Sequence, residues 1–221
     1  MENTSMKPLL KSLQDQYLKG DFESVKEGLL EHKASFPKGE FHFNLGTIYS
    51  KMENHAVARF HLEKALSEGY ENVAVKHNLK SVQGSLAVSD ISNSSRIEDL
   101  VLSKSLEFGN DFYLFLTLLI SVVALVLFLK KYVSKTTFAI LGLVALVPIS
   151  AKVFYIDNFS VGILFQESAI YEGPSGIFEK TGKVPAGSKI VLGKKTDGWR
   201  MIEKPLEYVG WIKSNEVGVI K

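Results

Sequence analysis

The side chains best suited to catalysis do not form a recognisable catalytic or metal-binding motif in this sequence. Five histidines are present, all in the first 77 residues: His32, His42, His55, His61 and His77. None of them stands in a metal-binding spacing such as H-E-x-x-H. Cysteine is absent, which excludes disulfides, thiolate metal sites and thiol nucleophiles. G-x-S-x-G, P-loop and Rossmann glycine motifs are also missing. The sequence therefore predicts a protein that is not an enzyme and that has no cofactor.

Composition and charge narrow the remaining classes of function. The chain has 221 residues, enough for one or two ordinary domains, and a formal net charge of +2. A charge so near zero argues against a nucleic-acid partner. The apolar share of 46% is ordinary, but it averages a polar first half, an apolar middle and a mixed last third. We therefore predict a multidomain chain whose parts must be interpreted separately.

The apolar middle predicts a transmembrane hairpin at residues 111–156. Phe112–Leu129 contains no formal charge, and neither does the run from Thr136 to Ala151, which Lys152 follows. Because about 20 helical residues cross a bilayer, we predict spans at 112–129 and 136–155, the second kinked at Pro148 and with Lys152 reaching towards the interface. A buried helical hairpin in a soluble protein is the alternative interpretation. The lipid bilayer is the first predicted partner.

Three lysines lie between the two predicted spans: Lys130, Lys131 and Lys135. Positive charge in short loops marks the cytoplasmic side of a membrane, so these lysines are the predicted topology determinants. Glu107, Asp111 and Asp157 flank the opposite ends of the spans. Both soluble parts are therefore expected outside the cytoplasm.

The first twenty residues contain no apolar core of the kind that a signal peptide requires. Three explanations remain open for the export of the N-terminal part. The start shown lacks a leader, the first span exports the segment that precedes it, or the topology is inverted.

Residues 1–83 are typical of tetratricopeptide-like helical repeats. In "FHFNLGTIYSKMENHAVARFHLEKAL" the pattern L-G-x-x-Y falls on Leu45, Gly46 and Tyr49, and small residues follow at Ala58 and Ala65. Gly46 and Ala58 would allow paired helices to approach closely. Similar but weaker patterns lie upstream and downstream, and a non-repeat helical bundle is the alternative.

The predicted repeats place polar side chains along an inner groove: Lys7, Lys11, Gln14, Asn44, Thr47, His77, Asn78 and Ser81. Donor groups that converge in a concave groove suit an extended peptide or a carboxylate. The same residues could equally be solvated positions on helix surfaces.

Residues 84–110 are predicted to link the repeats to the membrane. Small polar residues up to 95 favour a disordered tether. After Arg96 the apolar residues Ile97, Leu100, Val101 and Leu106 fall at helical spacing. This pattern predicts an amphipathic helix that lies along the bilayer surface.

Residues 158–221 change to short strands broken by glycine and proline. The order of landmarks, with Tyr171 before Gly173-Pro174 and two later Gly-Trp pairs at Trp199 and Trp211, resembles the bacterial SH3-like barrel. Tyr171, Trp199 and Trp211 are the candidate surface residues. We expect Trp211 to be mostly core, and Tyr171 and Trp199 to border any binding surface.

The sequence of repeats, membrane hairpin and SH3-like barrel resembles the Bat family of bacterial aerotolerance-operon proteins. The resemblance extends to the passage "SLEFGNDFYLFLTLLISVVALVLFL". It implies a location in the inner membrane, with both soluble domains in the periplasm. The family's operon also encodes von Willebrand-type adhesion proteins and a MoxR-type ATPase. His42 departs from the repeat pattern, where tryptophan is usual.

Two functions follow from the resemblances to the Bat family and to the SH3-like domain. The first is a membrane scaffold that binds other proteins of a Bat-type complex in envelope or oxidative-stress physiology. The second is an anchor or sensor that binds peptidoglycan through the SH3-like domain.

Overall fold

The structure is a computed structural model that describes residues 6–86, 88 and 90–221. The predicted order of helices before strands is confirmed. The predicted repeat region begins outside the described residues, and the predicted tether includes residues 87 and 89, which also lie outside them. The helices are α1 Met6–Leu18, α2 Phe22–Glu31, α3 Lys38–Lys51, α4 His55–Ser67, α5 Val73–Leu86, α6 Ile97–Glu107, α7 Asn110–Leu129, α8 Lys135–Ala145 and α9 Val147–Phe154. The strands are β1 Ser160–Leu164, β2 Ser168–Tyr171, β3 Lys180–Val184, β4 Lys189–Thr196, β5 Trp199–Lys204, β6 Gly210–Lys213 and β7 Val217–Val219.

The chain divides into two compact units. The first combines the residues up to Asp90 with Val161–Lys221, and the second is Ile91–Ser160. The first will be called the soluble unit. It contains α1 to α5 together with most of the sheet, so the two polar ends of the sequence belong to one body. Asp90 and Ile91 are fully buried, which differs from the disordered tether expected there.

Local signals in the sequence set the helix boundaries of the soluble unit. Asp21 accepts a hydrogen bond from the Ser24 amide at the start of α2, and Asn54 accepts one from the Val57 amide at the start of α4. These caps satisfy backbone donors that have no partner within the helix. Gly20, at φ 79°, supplies the left-handed turn before α2.

Helices α3 and α4 pack closely against each other at Gly46. A Cβ added there would lie 2.7 Å from Leu62 Cγ and 3.1 Å from the Leu62 backbone nitrogen. Ala58 and Leu62 are completely buried, and Tyr49 packs beside them. The small residues therefore fix the spacing of this helix pair.

We predict that Gly46→Ala destabilises the soluble unit by about 1–3 kcal/mol, because the added methyl group overpacks a fixed contact. Gly84→Ala is the matched control, since nothing lies within 4 Å of a Cβ added at Gly84 on α5. The control should be stabilising by about 0.5–1 kcal/mol, because alanine favours a helix over glycine. Denaturant unfolding of both variants checks the pair, and equal effects would contradict the close packing.

The strands form one antiparallel sheet in the order β3-β2-β6-β5-β4-β1-β7. Its core contains mainly branched aliphatic residues that point to one side: Leu164, Ile170, Val184, Ile190, Leu192, Ile202, Ile212 and Val217. On β6 the completely buried residue is Ile212, whereas Trp211 is only half-buried. Because side chains alternate along a strand, Trp211 lies on the face opposite the core.

The second unit contains two stretches, Asn110–Leu129 and Lys135–Asn158, that are long and apolar enough to cross a membrane. The second stretch is interrupted at Leu146, two residues before Pro148. Lys152 is buried, with its ammonium 3.0 Å from Asp157 and 5.5 Å from the centre of the Tyr113 ring. The buried lysine of this stretch, Lys152, therefore has an acidic partner at the end of the helix.

Helix α6 occupies the position of the predicted interfacial helix. Its buried residues include Leu102, whereas Ile97 and Val101 are exposed. These exposed residues are one turn apart, so the face expected to contact lipid is apolar and open.

Candidate interaction surfaces

Helix α4 has two buried faces within the soluble unit. Ala58, Leu62 and Ala65 pack against the neighbouring helices. Arg59 and Glu63 lie one turn apart on another face, where they meet residues of the sheet and the segment after α5. The helical part and the strands are therefore held together through α4.

Four charged side chains form a buried ion network at this interface: Arg59, Glu63, Asp90 and Lys189. The guanidinium of Arg59 is 3.1 Å from Glu63 Oε1 and 2.6 Å from Asp90 Oδ2. Lys189 Nζ lies 2.6 Å from the second carboxylate oxygen of Glu63, and the Lys189 amide donates to Asp90 at 3.0 Å. Two positive and two negative groups thus balance each other.

Backbone contacts extend the network. Arg59 Nη1 donates to the Gly187 carbonyl at 2.8 Å, across 128 residues of sequence. One turn further along α4, Lys64 Nζ donates to the Ile220 carbonyl at 2.7 Å. The sheet is therefore bound to α4 at two separated points.

Opposite charges in the network stabilise the ionised forms of Arg59 and Glu63. Burial lowers the pKa of Arg59, but the nearby Glu63 and Asp90 carboxylates outweigh it, and the net direction is upward. Burial raises the pKa of Glu63, but Lys189 and Arg59 outweigh it, and the net direction is downward. Removing one member would leave a charge buried without compensation.

Aromatic packing seals the same interface. The rings of Phe60 on α4 and Phe165 after β1 meet edge to face, with centroids 5.2 Å apart. A Cβ at Gly218 would lie 2.6 Å from Phe60 and 2.5 Å from Phe165. Strand β7 can therefore pass these two rings only with glycine at this position.

We predict that Glu63→Gln and Lys189→Met each destabilise the soluble unit by about 3–5 kcal/mol, because each leaves the buried network with one charge that is no longer compensated. The double variant should cost less than the sum of the two single variants, and a double-mutant cycle of unfolding free energies measures the difference. The exposed pair Glu167 and Lys183, 2.6 Å apart, provides the control. Its variants Glu167→Gln and Lys183→Met should cost less than about 1 kcal/mol. Strict additivity at Glu63 and Lys189 would contradict the network.

His42 on α3 and His61 on α4 meet between these two helices. Their Nδ1 atoms are 2.8 Å apart, and Tyr49 stacks on His61 with ring centroids 5.4 Å apart. Burial, the neighbouring His42 and Lys33 lower the pKa of His61 to about 3. Burial also lowers the pKa of His42, with Lys64 and Lys33 acting in the same direction and Glu68 opposing them. The pair is therefore neutral at physiological pH.

This pair makes stability depend on pH. Since the pKa of His61 is about 3 when folded and near 6.5 when unfolded, the unfolded chain takes up more protons in between, and stability falls as pH drops from 6.5 towards 3. At pH 5 the loss from His61 should be about 2 kcal/mol. Thermal unfolding at pH 7.5 and pH 5 tests this. His61→Gln should flatten the profile, whereas His77→Gln, at an exposed position on α5, should leave it unchanged.

The residues of the predicted groove lie on three helices. Lys7, Lys11 and Gln14 are exposed on α1. Asn44 and Thr47 are half-buried on α3, whereas on α5 Asn78 is half-buried and His77 and Ser81 are exposed. The structure joins two of them directly, because Asn78 Nδ2 donates to Thr47 Oγ1 at 3.2 Å.

The sheet presents an aromatic strip made of Tyr171, Trp199, Met201 and Trp211. Trp211 is paired across the strands with both Tyr171 and Met201, and the rings of Tyr171 and Trp199 meet edge to face at 5.0 Å. All four are half-buried. Lys180 Nζ lies 5.7 Å from the centre of the Tyr171 ring. The strip is on β2, β5 and β6, whereas the residues that contact α4 lie on β4, on β7 and in adjoining loops.

The predicted topology determinants lie around the turn between α7 and α8. Lys130 and Lys131 follow α7, Lys135 begins α8, and all three are exposed. Within the described part of the chain, no group of three or more histidine, aspartate or glutamate side chains could hold a metal ion.

Sequence reasoning missed the buried ion network and the histidine pair. The i, i+4 spacing of Arg59 and Glu63 was a signal, but that spacing is also common on solvated helix faces. Nothing in the sequence linked these residues to Asp90 or Lys189.

No protein-family model, curated protein or solved structure matches this chain.

Proposed function

We propose that this protein is a bacterial inner-membrane scaffold that binds partner proteins of an envelope or aerotolerance complex outside the cytoplasm. One observation carries the proposal. A single soluble unit has two exposed surfaces, the polar faces of α1, α3 and α5 and the aromatic strip, and the chain that joins its halves contains two long apolar helices. Such a unit could hold two partners in a fixed arrangement beside a membrane.

The resemblance to the Bat family, and to its member E in particular, supplies the context of the proposal. The partners would be other membrane components of a Bat-type complex. The helices would bind an extended peptide or a carboxylate near Thr47 and Asn78. Tetratricopeptide and SH3-like identities are part of this proposal, supported by the close α3–α4 pair and by the small antiparallel sheet.

A second candidate function is a peptidoglycan-binding anchor or sensor. The aromatic strip favours it, because half-buried rings on a sheet provide apolar contact area and polar edges for a ligand. Lys180 beside Tyr171 would add a positive charge for a carboxylate of a wall peptide.

The orientation can be tested by labelling single cysteines in a chain that has none of its own. An impermeant maleimide applied to cells whose outer envelope has been opened should label His77→Cys on α5, but not Val133→Cys in the basic turn. The physical reason is the cost of moving the turn lysines across the membrane. Labelling only at Val133→Cys would show that the soluble unit is cytoplasmic.

Binding experiments with the full chain in detergent separate the two functions. Sedimentation with purified wall tests the anchor, and copurification from wall-free membranes tests the scaffold. The variants are Trp199→Ala in the aromatic strip and Asn78→Ala in the groove. If wall sediments the wild-type protein and Asn78→Ala but not Trp199→Ala, the anchor is supported. If wall binds none of them while Asn78→Ala loses copurifying membrane proteins at least tenfold, the scaffold is supported.

A further inference from the structure

The buried ion network joins residues from both sides of the apolar helices in the sequence. Arg59, Glu63 and Asp90 precede the unit Ile91–Ser160, whereas Gly187 and Lys189 follow it. The hydrogen bond from Lys64 to the Ile220 carbonyl crosses the same insertion. The soluble unit is therefore one body formed by two sequence segments, and the apolar helices lie between these segments in the sequence.

A contact of this kind requires both partners on the same side of a bilayer. The network distances are 2.6–3.1 Å, whereas the hydrocarbon core is about 30 Å thick. Two spans return the chain to the side from which it entered. One span would leave Glu63 and Lys189 on opposite sides.

We infer that the soluble unit is a check on the topology of the membrane hairpin, because the buried ion network cannot close when only one of the two spans has inserted. This inference rests on the proposed membrane location, but not on the partner or on which side is periplasmic. A chain whose second span fails to insert has no Lys189 beside Glu63, no Gly187 carbonyl beside Arg59 and no Phe165 beside Phe60. Its helices should open more often and be cleaved more readily by proteases.

Two deletions separate the effect of topology from the loss of the apolar helices themselves. Variant A lacks residues 136–155, so that one span remains. Variant B replaces residues 91–160 by a flexible Gly/Ser linker of about ten residues, which spans roughly 17 Å. Asp90 contacts the Lys189 amide, and Ser188 is hydrogen-bonded to Leu164, so Asp90 lies near β1 and such a linker is long enough. Variant B keeps both halves on one side without any span.

The readout is the rate at which a protease cleaves α1–α5, measured with an antibody to an N-terminal tag after membranes are opened on both sides. Variant B should resist cleavage like the wild-type protein, and variant A should be cleaved at least tenfold faster. Labelling of Thr181→Cys, an exposed residue of β3, verifies that the strands of variant A lie on the opposite side.

Two results would overturn the inference. Equal resistance of variants A and B would mean that the helices fold without the strands. Rapid cleavage of both would mean that the soluble unit needs the apolar helices directly. Alkaline extraction of the wild-type protein tests the membrane location separately. If extraction releases the protein, the proposed location fails, and the comparison of A with B no longer concerns topology.

Discussion

The rest of the soluble unit depends on the buried pairing of Arg59, Glu63, Asp90 and Lys189. These groups are largely buried, so each charge is tolerated only because an opposite charge lies within hydrogen-bonding distance. A buried ion network adds little net stability compared with apolar packing, but it penalises every arrangement in which a partner is missing. The main effect of the network is therefore to specify how the strands pack on the helices. Its contribution to the stability of the soluble unit is smaller.

This specificity matters because the binding partners are far apart in the chain. Asp90 and Lys189 are separated by 99 residues, and Lys64 and Ile220 by 156. Closing such long loops costs conformational entropy before any contact forms. If the two ends of the apolar insertion emerge close together, the effective loop is shorter, so a membrane hairpin would favour folding of the unit whose two sequence segments it joins.

Features that depend on local sequence could be predicted, and features that depend on distant pairing could not. The order of helices and strands and the two long apolar stretches follow from hydrophobic periodicity and run length. The interface between α4 and the strands could not be predicted, because nothing in the sequence distinguishes Arg59 and Lys189 from charged residues that are exposed to solvent. Asp90 follows a segment that contains serine and glycine and is typical of a tether. Among the candidate sites, Tyr171 and Trp199 are in contact, whereas the half-buried position of Trp211 depends on strand register, which spacing alone does not determine.

Strand β3 lies at one end of the sheet, and its residues from Lys180 to Lys183 are exposed. An open strand edge can pair with the edge of another molecule, and confinement to a membrane plane would raise the frequency of such encounters. Lys183 on this edge is paired with Glu167, so Lys180 is the edge residue whose charge would oppose edge-to-edge pairing of two copies. Copies crowded in the plane of a membrane would therefore keep their sheets separate.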